Sequence, residues 1–215
     1  MITIACVYWA DPTKGTPAFP EWWVLKLQEM VSTHITVPHK FVCLSNVDLP
    51  CEVIPLKHNW KGWWSKIELF RPGVFEGRVL YLDLDTIILD NIDEMCEREE
   101  SFIGLRAFNP ARSNRPGYFA SGILSWESGY YDFIYNDFNY DEDPLHFNGD
   151  QDYMVYAMFD NKRDFFYWQE LVDGIYSYKF HIQNRMSNGM NPMVVCFHGK
   201  PRPHDMFGPQ SVITL

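Results

Sequence analysis

Apolar residues in the first third of the chain come in short, nearly unbroken runs divided by polar clusters, the pattern of buried strands alternating with helices. Thr3 to Trp9 predicts a first buried strand entering the turn-forming Asp11-Pro12-Thr13-Lys14-Gly15. From Glu21 to Ser32, Trp23, Leu27, Met30 and Val31 recur at helical spacing, and Pro20 stands where a first helical turn tolerates it. Short strands are expected over Phe41 to Leu44 and Glu52 to Leu56, a helix over Trp63 to Phe70 that stops before Pro72-Gly73, and the strongest strand over Arg78 to Leu82. Beyond this point the pattern loosens. It predicts strands over Phe102 to Leu105, Phe119 to Trp126 and Met193 to Phe197, and helices over Gly129 to Asp137 and Gln151 to Phe159. The alternation implies an α/β layer with a mostly parallel central sheet flanked by helices, taken as one domain over 1–215, whose ligands bind outside the carboxyl ends of the strands.

Composition narrows the class of protein. With 47% apolar and 21% charged residues in a chain of 215, a sizeable core can form, which excludes a disordered segment or a collagen-like fibre. Eighteen basic against 28 acidic residues give a formal charge of -10, which argues against broad binding to nucleic acid or anionic lipid and leaves room only for a local basic pocket. No apolar stretch reaches the roughly 20 residues of a membrane span, so no stable membrane insertion is expected. The N-terminal run has no basic leader, and the five cysteines are odd in number and lack a C-x-x-C pair; the expectation is reduced thiols in a cytoplasmic protein. The segment from Arg106 to Tyr118 carries Arg106, Arg112 and Arg115 and no acid, and reads either as a lid over an anion or as a solvated loop.

The segment from Val79 to Asp90 concentrates the chemistry. In an extended strand Asp83 and Asp85 would point to one face while Leu80, Leu82 and Leu84 point to the other. Two adjacent carboxylates in apolar surroundings repel each other and resist desolvation, and a divalent cation such as Mg2+ or Mn2+, completed by substrate phosphates, would neutralise them. The alternative is that one aspartate caps the following turn and the other is solvated. His198, after a short apolar strand and before Gly199, is a second candidate ligand whose imidazole nitrogen would tilt the site toward manganese; a structural histidine is the alternative. Lys200 and Arg202 add cationic donors suited to a diphosphate. Trp60, Trp63, Trp64 and Tyr118 either line a cleft or pack in the core.

An ordered set of motifs then carries a resemblance over most of the chain. Trp64-Ser65-Lys66-Ile67-Glu68-Leu69-Phe70 is followed by Val79-Leu80-Tyr81-Leu82-Asp83-Leu84-Asp85-Thr86, then by Ala120-Ser121-Gly122-Ile123, Gly149-Asp150-Gln151-Asp152 and Phe197-His198-Gly199-Lys200-Pro201. This set resembles GT-A glycosyltransferases, closest to the family 8 type that includes glycogenin and bacterial galactosyltransferases. The resemblance implies a Rossmann-like GT-A fold for nucleotide-diphospho-sugar transferases. It also implies metal-dependent transfer of a sugar from a nucleoside-diphosphate sugar, a UDP-sugar, with retention. The acceptor is left open among a glycan, a lipid-linked sugar, a protein and a modified nucleic acid base.

By the same resemblance Asp83, Asp85 and His198 are the manganese or magnesium ligands, with Leu84 between the carboxylates against the donor. Tyr8, Trp9 and Asp11 hold the base, Lys66 contacts the nucleotide or donor sugar, and Gly199 with Lys200 binds the diphosphate. Ser121 and Gly122 lie beside the sugar, in a segment where Ala120 replaces the family's asparagine. Asp150 and Gln151 match the catalytic pair, the glutamine amide lying near the anomeric carbon; in an inverting enzyme Asp150 or Asp152 would serve instead as base. The run from His198 to His204 has shorter spacing than the family's H-x-x-G-x-x-K-P-W and lacks its tryptophan. Two other readings compete. One is a sugar-nucleotide or glycan-binding protein that keeps the fold without turnover. The other is a haloacid-dehalogenase-like phosphatase with Asp83 as nucleophile, which needs an Asp-Asp pair that the chain lacks.

Overall fold

The computed structural model of the chain describes residues 1–11, 13, 18–113, 115, 117–183 and 189–215. Of the turn expected after the first strand, Pro12, Lys14 and Gly15 lie outside the described residues. The strands in chain order are β1 (Ile2–Tyr8), β2 (His39–Ser45), β3 (Val53–Pro55), β4 (Arg78–Leu82), β5 (Thr86–Ile88), β6 (Phe102–Leu105), β7 (Ala120–Glu127), β8 (Phe166–Tyr167), β9 (Ile175–Ser177) and β10 (Val194–Cys196). Seven of them form a sheet in the order β3-β2-β1-β4-β7-β6-β8, and β5-β10-β9 form a second, smaller one. In the large sheet β3, β2, β1 and β4 run parallel, and β7 is antiparallel to both of its neighbours. The expected mostly parallel α/β fold is what forms.

Strand alternation explains the two-sided core. From β1, Ile4, Cys6 and Tyr8 pack with Leu80 and Leu82 of β4 and with Trp23, Leu27 and Val31 of the helix Glu21–His34. Ala5 and Val7 face the other way with Val79 and Tyr81, against Ile67 and Phe70 and against Tyr153, Met154 and Ala157 of the helix Asp150–Asp160. Because β1 is covered on both faces, all seven of its residues are buried, which is why its sequence is an unbroken apolar run.

Three expectations change. The Trp63 to Phe70 helix is a 3-10 helix, Gly62–Phe70. Three residues per turn stack Trp64, Ile67 and Phe70 in one buried row, and the same period aligns Trp63 with Lys66. The Gly129 to Asp137 helix shrinks to one turn, Phe133–Asn136, since Gly129 takes a left-handed backbone with φ 86°. Most important for the site, β4 ends at Leu82, and Asp83-Leu84-Asp85 is not strand. The amide of Thr86 donates to the Asp83 carbonyl at 3.0 Å, closing a tight turn into β5. Leu84 therefore packs with Leu80 and Leu82 in the core, while the two aspartates flank it on the turn.

That turn is held from several directions. The Asp83 amide donates to the Gly122 carbonyl at 2.9 Å, the Phe197 amide donates to the Asp85 carbonyl at 2.8 Å, and the indole N–H of buried Trp23 donates to the Leu84 carbonyl at 2.6 Å. Trp23→Phe keeps most of the ring but strands the Leu84 carbonyl, at a cost of about 1–3 kcal/mol. At roughly 2–4 °C per kcal/mol for a chain of this size, thermal unfolding followed by circular dichroism should show a Tm lowered by several degrees. An unchanged Tm would show that the bond does not brace the turn.

Candidate active site

A cleft of about 460 Å3 opens at the carboxyl ends of β1 and β4. The Asp83-Leu84-Asp85 turn lines one side of it, and Tyr8, Trp9 and Asp11 follow β1 into another. Asn46 fixes this second wall, its side-chain amide exchanging two hydrogen bonds of 2.8 Å with the backbone of Ala10. Asp11 turns back on its own loop, accepting from the Thr13 amide and hydroxyl. The hydroxyl of Tyr8 and the indole nitrogen of Trp9 are buried without a partner among the described residues. Burial pushes the Tyr8 phenol up to about 12, so it stays a neutral donor.

Lys66 reaches the cleft from the 3-10 helix. Its ammonium lies 2.5 Å from Asp83 and 3.6 Å from Asp150. It does not pair with Glu68, which is buried and accepts from the backbone of Lys57 and His58 and from Arg71. Burial works against the Lys66 charge, but Asp150 and Asp83 outweigh it and hold the ammonium well above the ordinary lysine range. Asp85 has no such cation in contact among the described residues. Burial, and then the Asp83 carboxylate, push its carboxyl well above the usual carboxylate range, against the weaker pull of Lys66 and Arg202. Burial raises Asp150 too, opposed by Lys66 and by the Ser121 hydroxyl that donates to it at 2.8 Å.

Asp150 and Gln151 open the helix Asp150–Asp160, and both line a second, smaller cavity of about 190 Å3 with Trp63, Arg112, Asn148, Gly149 and Asp152. Trp63 also lines the larger cleft, so the two spaces meet at its indole. The Gln151 amide is tethered at both ends, its nitrogen donating to the Tyr118 hydroxyl at 2.5 Å and its oxygen accepting from the Ser121 amide at 3.3 Å. Asp150 thus spends its carboxylate on Ser121 and Lys66, and no side-chain cap of the helix is present.

The remaining candidates divide. Gly199 lines the cleft with φ 74°, a conformation that favours glycine, and Arg202 lines it too, its guanidinium 4.7 Å from the Phe19 ring and bonded to the Ala18 carbonyl. Lys200 is exposed and is not part of the lining; the cation that the C-terminal segment brings to the cleft is Arg202. Gly122 contributes its carbonyl to Asp83. His198 lies outside the lining, its ring 5.2 Å from that of Phe108. Burial holds the His198 imidazole below its ordinary range, with Asp83 pulling the other way, and its Nε2 has no partner among the described residues. The arginine-rich loop is not a lid of three free cations: Arg106 pairs with Glu170 and stacks over Tyr167, while Arg112 reaches the Tyr118 hydroxyl at 3.2 Å. Ala18, Phe19 and Gly62 line the cleft without any local motif to announce them.

No three His, Cys, Asp or Glu side chains form a ready-made metal cage among the described residues. The donor set still fits a hard divalent cation that keeps waters and phosphate oxygens in its shell. Two carboxylates stand on one turn; among the described residues one of them lacks a neutralising partner, the Lys66 ammonium takes a cation's place on the other, and the His198 Nε2 is without a partner.

No protein-family model matches the sequence, and no curated protein matches it. Solved structures do. The galactosyltransferase LgtC, in complex with donor and acceptor sugar analogs, is similar at a TM-score of 0.59 and 12% identity, over 94% of this chain and 88% of that one. The glycosyltransferase GlyE of Streptococcus pneumoniae TIGR4 is similar at 0.63 and 15%, over 96% of this chain and 57% of that one. Its apo form gives 0.62 and 16%, over 94% and 56%, so this chain spans just over half the length of the GlyE chains. At such identities the likeness is one of architecture, and the fold of this chain is that of the GT-A glycosyltransferases.

Proposed function

We propose that the protein is a metal-dependent glycosyltransferase that moves a sugar from a nucleoside-diphosphate sugar, a UDP-sugar, to an acceptor hydroxyl with retention. One observation carries the reading: the Asp83-Leu84-Asp85 turn borders a 460 Å3 cleft at strand carboxyl ends, and Lys66 links it to the Asp150-Gln151 pair. The cleft falls within the roughly 300–1,000 Å3 common for ligand sites. The fold shared with LgtC and GlyE supports transfer chemistry as a class. A second cavity beside Gln151 gives an acceptor somewhere to stand, which favours a transferase over a protein that only binds a sugar nucleotide.

In this reading Tyr8 and Trp9, which line the cleft after β1, meet the base. Asp83 and Asp85 would hold manganese or magnesium, with His198, whose Nε2 has no partner among the described residues, as the third ligand. When bound, the cation supplies Lewis-acid stabilisation of the negative charge that develops on the leaving diphosphate. Lys66 and Arg202 add fixed positive charge at the same end of the cleft, and Lys66 needs no reorganisation because Asp83 and Asp150 already hold it. The Gln151 amide, tethered by Tyr118 and Ser121, keeps a second N–H for the sugar. Asp150 is committed to Lys66 and Ser121, which disfavours it as a free base and supports retention.

Three outcomes are expected. Asp83→Asn should lower metal-dependent sugar release or transfer from the donor by roughly 10²-fold or more with the far-UV spectrum unchanged; undiminished turnover would remove this site. UDP at about 100 times its Kd, with manganese, should add about 2.7 kcal/mol of stability and so several degrees of Tm, an effect lost with chelator or in Asp85→Asn. A shift given equally by the variant would separate nucleotide binding from the turn. Proton NMR of the first product should show the donor's anomeric configuration; the opposite anomer would reassign the chemistry to inversion with a carboxylate base such as Asp152.

A further inference from the structure

The negative charge of this chain is concentrated in one stretch. The segment 116–161 holds nine of its 28 acidic residues and none of its 18 lysines and arginines; outside it the chain is almost balanced, with 19 acidic against 18 basic residues. That segment folds as β7 and the helices Phe133–Asn136, Asp143–His146 and Asp150–Asp160. Its charge is not neutralised from elsewhere: among the described residues Asp137, Asp141, Glu142, Asp143 and Asp160 form no ion pair with a lysine or arginine.

The same segment exposes apolar rings where a surface helix ordinarily carries polar residues. The helix Asp150–Asp160 buries Tyr153, Met154, Ala157 and Met158. Its outer side presents Tyr156, Phe159 and Asp160, which follow one another at i, i+3 and i+4. Tyr156 is 50% and Phe159 82% exposed. The half-buried ring of Phe147 lies 5.2 Å from that of Tyr156 and lengthens the row, and Leu145, 80% exposed, precedes Phe147 by two residues. Acids border this row. Burial, and then the Asp143 and Asp137 carboxylates and Tyr156, push the Tyr153 phenol up, so both carboxylates stand close to the same helix. Exposed apolar side chains scattered singly are ordinary, but a row of them flanked by one sign of charge marks a surface that is covered by something else.

The charge selects the occupant. An unneutralised acidic border repels anionic lipid and nucleic acid and attracts lysine and arginine side chains. A row along the outside of a helix encloses no small molecule, whereas a second helix can lay its own apolar row beside it. We infer that this face docks a partner polypeptide through a basic amphipathic helix, whose apolar side chains cover Phe147, Tyr156 and Phe159 and whose cations meet the carboxylates around them. The inference stands apart from the transferase reading, since none of these three rings lines the cleft at the Asp83-Leu84-Asp85 turn.

The test is fluorescence anisotropy of a labelled leucine-lysine peptide, its leucines at helical spacing, titrated with the whole chain. The peptide should bind, and more weakly as salt is raised. Binding should fall about tenfold or more in Phe159→Ser and in the pair Glu142→Lys with Asp160→Lys. It should change little in Glu52→Lys with Glu76→Lys, a pair at exposed positions elsewhere that alters the net charge equally. Thermal unfolding checks that the variants are folded. No binding, undiminished binding to Phe159→Ser, or equally tight binding of a peptide of lysine alone would each overturn the inference. So would an equal loss in the two charge pairs, which would reduce the effect to general attraction by an acidic chain. Light scattering on the chain alone tests the other occupant: a dimer that Phe159→Ser dissociates would assign the face to a second copy of this chain and overturn the inference as well.

Discussion

One half-buried ammonium organises the charge of the cleft. Asp83, Asp85 and Asp150 gather where the strands end, burial penalises Asp85 and Asp150 as anions, and Lys66 contacts Asp83 and Asp150 at 2.5 and 3.6 Å. Removing one member of such a partly buried pair is destabilising, because it leaves its partner's charge uncompensated. The arrangement therefore constrains everything near it: the 3-10 helix that carries Lys66, the turn that carries Asp83, and the helix start that carries Asp150. Among the described residues it also leaves Asp85 as the carboxylate with unmet demand for positive charge, which is the physical reason to look for a cation and a diphosphate at this turn.

The backbone answers that demand for precision. Four distant parts of the chain converge on a three-residue segment: β7 through the Gly122 carbonyl, the first helix through the Trp23 indole, the strand exit at Phe197, and Lys66 itself. The antiparallel pairing of β7 with β4 sets Leu82 opposite Ile123, and this register brings Ser121 beside Asp150 and Gly122 beside Asp83. The second sheet does the same for the C-terminal segment. With Cys196 opposite Thr86, β10 delivers Gly199 and Arg202 to the cleft. The architecture places charged groups on short, well-braced exits from strands, where their geometry is set by packing and not by solvent.

Much of this was legible in the sequence, for identifiable reasons. Strands covered on both faces, such as β1, betray themselves as unbroken apolar runs, and the helix Glu21–His34 by the spacing of Trp23, Leu27 and Val31. The residue types of the candidate site were visible as well, because an aspartate pair after an apolar strand stands out, although the pair alone leaves a cation site and a capped turn equally open. Its geometry was not. Alternation along a strand puts Leu84 opposite the aspartates, and only the Thr86 to Asp83 hydrogen bond, with Trp23 gripping the Leu84 carbonyl, shows that the chain has already turned. The strands β5, β8 and β9, of two or three residues each, were missed because so short a run has no period to read. The exchange of Lys200 for Arg202, and the ties of Tyr118 to Asp152 and Gln151 more than 30 residues away, are tertiary facts that no local pattern encodes.

The central claim is that the carboxylates of Asp83 and Asp85 form a cation and diphosphate site. Crystals grown with UDP and manganese, measured at the manganese absorption edge, would test it most directly. The account predicts an anomalous peak in contact with both carboxylates and with the diphosphate. A bound UDP whose manganese lies away from this turn would contradict it.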